Sequence, residues 1–167
     1  MNIYRLTFSA LLIAVGVITS HLIYIPVGVA KCYPVQHTIN VLSAVLLGPW
    51  YAVFNAFTVS LLRNILGTGS LLAFPGSMIG AFLAAVAYRK TGRLLPAVLG
   101  EITGTGILGA LAAYPVAKFV LGKSTAALFF VVPFLASTTG GSIIGYFILK
   151  CLPLREASQK LATGEKK

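Results

Sequence analysis

The sequence predicts an all-α integral membrane protein: one compact bundle of six transmembrane helices with both termini in the cytoplasm. Three observations predict it. The 167 residues are 57% hydrophobic and only 10% charged, with a mean hydropathy of +0.92, more apolar surface than a soluble domain of this size can cover. Several apolar runs approach the length of a membrane helix. The Lys and Arg residues behind the net charge of +10 gather at the ends of those runs, so membrane topology explains them better than a nucleic-acid partner does.

The first span is expected from about Leu6 to Ile25. Its start, Met1 to Arg5 before an apolar run, could pass for a signal peptide. The run before Cys32 ends Val29-Ala30-Lys31, however, and a charge just before the cysteine argues against lipoprotein cleavage, so the span reads as a retained helix. A loop with Pro26, Gly28, Lys31, Cys32, Tyr33 and Pro34 follows. The second span is short, about Val35 to Leu47, and Gly48-Pro49 turns the chain into a third from Trp50 to about Leu66. Gly67-Thr68-Gly69-Ser70 leads to Phe74-Pro75-Gly76. Proline suits the first turn of a helix, so the fourth span is expected from near Pro75 to Tyr88. The fifth runs from about Leu94 to Leu121, long enough to tilt strongly, and the sixth from about Thr125 to Leu149. Residues 1–167 read as a single domain with a polar tail from about residue 154.

With the N-terminus in the cytoplasm, Arg5, Arg89, Lys90, Arg93, Lys150 and the cations of the tail lie inside. Lys31, Arg63, Lys118 and Lys123 lie outside, an asymmetry that favours this orientation. The two polar loops broken by Gly and Pro, 26–36 and 67–74, then face outward and point to a site fed from outside. Cys32 and Cys151 fall near opposite faces, which disfavours a disulfide, and no metal-ligand spacing occurs. No HExxH, GxSxG or P-loop is present. The sequence therefore gives no support for catalysis or a cofactor, and active transport would draw on an ion gradient or partner subunits.

Glu101 is the only acidic residue between Met1 and Arg155. A carboxylate in an apolar span is expensive and normally faces the bundle interior or a watery cavity. Thr105 lies one turn on, among Gly104, Gly106 and Gly109, where a ligand or helix can come close. Glu101 could instead pair with a cation near Arg93, about two turns away. The densest polar string is Lys31-Cys32-Tyr33-Pro34-Val35-Gln36-His37 with Asn40. Gln36 and Asn40 share a helical face. The alternative is a loop on lipid headgroups with Lys31 snorkelling. Asn64 is expected to face the bundle, and Arg63 is weighed as an interfacial anchor. Phe74 to Ser77 is expected to open its helix with free amides facing outward, which suits an anionic or acceptor-rich ligand group, the alternative being an ordinary helix start. Ser137, Thr138, Thr139 and Ser142 line successive turns of the last span, where hydroxyls often bond back to their own helix. Ala10 and Ala14 form a small-residue packing motif, whose spacing recurs at Ala52/Ala56, Ala81/Ala85 and Gly141/Gly145.

Together these residues resemble a known family. The six short helices, the Leu46-Leu47-Gly48-Pro49-Trp50-Tyr51 turn and Ala10-x-x-x-Ala14 resemble the substrate-binding S components of energy-coupling factor transporters. The strings Lys31 to Val41, Arg63-Asn64 with Gly67-Thr68-Gly69, Ala73 to Ser77, and Gly100-Glu101-x-x-Gly104-Thr105-Gly106 are similar to the ThiW type. The resemblance spans nearly the whole chain, and the Lys31 to Val41 and Phe74 to Ser77 strings are its most specific parts.

It implies a multi-pass protein of a bacterial or archaeal cell membrane that captures a thiamine precursor, hydroxyethylthiazole, under the first loop at the outer face. It implies docking through Ala10 and Ala14 on a transmembrane coupling subunit powered by two ATP-binding subunits, with no nucleic-acid partner. Under this reading Tyr33 stacks on the ring, and Gln36, His37 and Asn40 hydrogen-bond its polar atoms. Glu101 accepts the hydroxyl proton or balances a positive ring, and Lys31, Asn64, Ser77, Thr105, Ser137 and Thr138 complete the substrate set. Two alternatives stay open: an S component for another vitamin, and a stand-alone carrier with Glu101 as its proton site. A third, an intramembrane enzyme, lacks a nucleophile and base.

Overall fold

A computed structural model of the chain describes residues 3–27, 30–122, 126 and 128–154. Six helices follow one another among these residues: α1 Ile3–Leu22, α2 Pro34–Leu46, α3 Pro49–Ile65, α4 Ala73–Thr91, α5 Leu94–Val120 and α6 Val131–Cys151. Three of them, α1 over Ile3–Ser20, α5 and α6, are long and apolar enough to cross a membrane unaided.

Local chemistry sets the helix ends. Pro34 and Pro49 occupy first-turn positions of α2 and α3, where the missing N–H costs nothing. Between the two helices Gly48 takes φ +89°, a conformation that a side chain rarely tolerates, so the reversal needs glycine here. Gly92, at φ +65°, closes α4 by donating its N–H to the Tyr88 carbonyl. Pro75 lies in the first turn of α4, as its chemistry requires, but the helix starts at Ala73 and continues to Thr91.

Three expectations change. The first loop is not irregular: β1 (Ile25–Val27) and β2 (Ala30–Cys32) pair antiparallel, with Ile25 opposite Cys32. The last helix starts at Val131 rather than near Thr125, because the chain before it closes turns from Phe129 N–H to Ala126 O and Val131 N–H to Leu128 O. That start also leaves Pro133 in the first turn. The fifth helix is not uniform. It widens to π-helical turns at Gly104–Gly109 and at Val116–Val120, the second just after Pro115. Proline removes one backbone donor, and short π segments often sit at functional sites.

At the centre, α2 touches every other helix, α4 packs on α2, α3 and α5, and α1 lies at the edge on α2 and α3. The thirteen residues of α2 span about 20 Å at the helical rise. Large apolar side chains face outward: Trp50 is 83% exposed and Phe119 78%. Inside are alanines, among them Ala44, Ala52, Ala56, Ala81, Ala84 and Ala85, and fully enclosed polar groups such as Asn55 and Glu101. This is the reverse of a soluble core. It suits a lipid surroundings, where helix association relies on close packing of small residues and interhelical hydrogen bonds.

Close approach lets backbone meet backbone. A Cβ added at Gly141 of α6 would fall on the Pro34 carbonyl of α2, and one at Gly104 of α5 would lie 2.7 Å from the Gly80 Cα of α4. Ala52/Ala56, Ala81/Ala85 and Gly141/Gly145 are spent inside the bundle in this way. Ala10 and Ala14 are not: both are exposed on the outward face of α1.

Candidate functional site

One end of the bundle holds a cavity of about 530 Å³ between α2, α3, α4, α5, α6 and the segment from Thr68 to Leu72. Its volume falls in the range of small-molecule sites. Tyr33, Gln36, His37, Ser77, Thr105 and Ser137 line it, together with Arg63 and an aromatic wall of Phe129, Phe130 and Phe134. The hairpin is tied down over this end, since Cys32 Sγ lies 3.2 Å from the Pro133 carbonyl and Tyr33 N–H donates to Ser137 Oγ at 2.9 Å.

Behind the lining lies the carboxylate. Glu101 is fully buried, and its Oε1 lies 2.9 Å from His37 Nδ1, 2.9 Å from Asn40 Nδ2 and 3.0 Å from Thr105 Oγ1. Its Oε2 is buried without a partner. Asn40 Nδ2 also donates to the Ser77 carbonyl at 3.2 Å. Thr105 has one proton and a second acceptor, the Gly76 carbonyl at 3.1 Å. The pairing of Glu101 with a cation near Arg93, left open by the sequence, is not made: its partner is His37, from the neighbouring helix. His37 reaches the carboxylate through Nδ1 while its ring lines the cavity. With Nδ1 held against the carboxylate, Nε2 is the ring nitrogen left for a ligand.

Around Arg63 runs a second network. Arg63 is 2% exposed. It donates to Gln36 Oε1 and, at 3.0 Å, to the Thr68 carbonyl, and it lies over the Tyr33 ring at 3.7 Å. Gln36 Nε2 donates to Ser60 Oγ at 3.0 Å, and Ser60 pairs with Ser77 at 3.0 Å. Gln36 thus links the arginine to the start of α4.

The structure sorts the residues singled out by sequence. Tyr33, Gln36, His37, Ser77, Thr105 and Ser137 line one cavity, with Asn40 and Glu101 directly behind them. Thr138 Oγ1 donates to the Glu101 carbonyl at 3.4 Å and so braces the helix that carries the carboxylate. Asn64 does not line the cavity. Its Nδ2 donates to the Ser60 and Ser70 carbonyls at 2.8 and 3.2 Å and fastens the loop after α3. Lys31 stands in β2, and its side chain lies outside the described part of the structure. The free amides expected at the start of α4 are not free: Ala73 N–H donates to Ser70 O and Phe74 N–H to Leu71 O.

Sequence reasoning missed two features. The reading of Arg63 as an interfacial anchor is corrected by its burial; the rule applied to Glu101, that a lone ionisable residue within a span marks a site, applies equally to it. The phenylalanine wall carried no signal, because Phe129, Phe130 and Phe134 sit in a run that is apolar throughout.

No curated protein and no solved structure is detectably similar to the chain. Residues 6–155, which include every described cavity residue, match the family of the thiamine-precursor transporter protein (ThiW). That match spans most of the chain, which thus belongs to the ThiW family of thiamine-precursor transporters.

Proposed function

We propose that residues 1–167 form a single six-span unit, with both termini in the cytoplasm, that acts as the substrate-binding S component of an energy-coupling factor importer in a bacterial or archaeal cell membrane. It captures hydroxyethylthiazole at the outer face. The observation that carries this reading is the His37–Glu101 pair behind an aromatic-walled cavity. The heteroaromatic ring lies among Phe129, Phe130, Phe134 and the Tyr33 side, where stacking and edge contacts favour it. The hydroxyl donates to His37 Nε2. Glu101 sets the orientation and tautomer of the imidazole, with Asn40 and Thr105 fixing the carboxylate. Gln36, Ser77 and Ser137 supply the remaining polar wall.

Uptake then depends on a transmembrane coupling subunit that docks on the exposed Ala10/Ala14 face of α1, and on two ATP-binding subunits. The unpartnered Oε2 of Glu101 supports a second reading, a stand-alone proton-coupled carrier with Glu101 as its proton site. Calorimetry on the purified protein against a panel of thiazole, pyrimidine and other vitamin precursors tests the assignment. Hydroxyethylthiazole should bind with the highest affinity of the panel, and tighter binding of an unrelated vitamin would reassign the substrate.

A further inference from the structure

Arg63 is a buried cation with only neutral company. Its contacts are the amide oxygen of Gln36, the carbonyl of Thr68 and the face of Tyr33, and its Nε has no partner. Among the described residues no carboxylate lies within ion-pair distance of it; Glu101 faces His37 instead. Arginine does not shed its proton in a protein. A guanidinium with no counter-charge around it favours an anion beside it, and Arg63 lines the cavity where one can reach it.

Two further observations agree. The nineteen-residue α4 begins on the same cavity wall, and its first turn holds no acidic residue. That element therefore brings no negative charge to offset Arg63. At about 530 Å³ the cavity also has room beside a single five-membered ring and its short alcohol arm.

We infer that this cavity binds an oxyanion at Arg63 beside the heteroaromatic ring. The anion is either carried by the substrate, as a phosphate ester of the alcohol, or taken up as a free inorganic oxyanion together with it. Planar guanidinium groups recognise such oxygens through paired N–H donors, which Gln36 and Thr68 only partly occupy here. The inference extends the thiazole reading, while the anion site itself is tested without a thiazole.

The purified full chain is examined by thermal shift in chloride-only buffer, with inorganic phosphate and then sulfate as probes. Phosphate should raise the melting temperature of the wild type. It should leave Arg63→Gln unchanged and act partially on Arg63→Lys. Calorimetry with hydroxyethylthiazole and its phosphate monoester then separates the sources. If the anion is substrate-borne, the ester binds at least about tenfold tighter than the alcohol to wild type and no tighter to Arg63→Gln. If the anion is free, added phosphate tightens binding of the alcohol by a similar factor. The inference is overturned if phosphate and sulfate leave the wild type unchanged and the ester binds no better than the alcohol, a comparison that stands even if Arg63→Gln fails to fold. A phosphate effect without binding of either thiazole would leave the anion site and remove the thiazole reading.

Discussion

Glu101 Oε1 and His37 Nδ1 lie 2.9 Å apart across two helices, with the carboxylate wholly enclosed and the imidazole on the cavity wall. A charge that the bilayer would penalise is thereby made to orient a ring that a ligand can reach. Each partner explains why the other is affordable in this bundle.

Truncating the contact should weaken binding. His37→Ala removes the acceptor facing the cavity and leaves Glu101 short of a partner. Asn40→Ala removes a donor to Glu101 and to Ser77 O. Each change should cost about 1–3 kcal/mol of ligand affinity. Wild-type affinity in both variants, measured by calorimetry with the best-binding precursor, would refute the proposed site.

Glu101→Gln separates the two transport readings. An amide keeps the shape but no longer holds the proton on His37 Nδ1. Under the S-component reading the folded variant should bind substrate at least about tenfold more weakly, and wild-type uptake should require the ATP-binding partners. Under the carrier reading the variant binds normally and loses uptake. Liposomes containing this chain alone decide between them: import driven by a pH gradient without ATP would overturn the S-component assignment.

Two adjacent glycines should behave oppositely. A Cβ at Gly141 would strike the Pro34 carbonyl and lie 2.8 Å from His37 Cβ, whereas at Gly140 its nearest neighbour is Pro34 Cβ at 4.0 Å. Gly141→Ala should destabilise the protein by about 1–3 kcal/mol and displace His37 from its position against Glu101. Gly140→Ala should be neutral or stabilising by up to about 1 kcal/mol, since alanine is the better helix former. Melting curves in detergent compare the pair directly, and equal shifts would show that α2 and α6 are not in close contact.

Replacing Ala10 and Ala14 together with leucine should spare ligand binding to the isolated protein, because both positions are exposed on α1. Under the proposed docking, the same variant should fail to co-purify with a coupling subunit and should not import. Retained assembly and uptake would remove this face from the proposal.

Much of the bundle was legible because apolar runs are long and their punctuation is chemical. Pro34, Gly48-Pro49, Pro75 and Gly92 each stand within a few residues of a helix end. The last helix was misplaced at its start because residues 125–130 are as apolar as the helix that follows, so hydropathy held no boundary there. The hairpin was hidden for another reason: three-residue strands are too short to show a period. Within the site, polar residues in apolar surroundings were conspicuous: His37, Asn40 and Glu101 do meet, while Gln36 joins Arg63 and Ser60 instead. Their partners were not conspicuous, since which helix faces α2 depends on packing of alanine and glycine surfaces that look alike in sequence.

The widened turn at Gly104–Gly109 has a consequence for chain length. A π turn closes with one residue more than an α turn. Deleting a single residue there would return the segment to α geometry and leave Glu101 in place. The halves on either side would keep their faces, with Ala113 and Ala117 still against Phe130. A change of length by one residue in the fifth helix should therefore be absorbed at this loosened turn, whereas in its α-helical stretches the same change would rotate everything after it by about 100°.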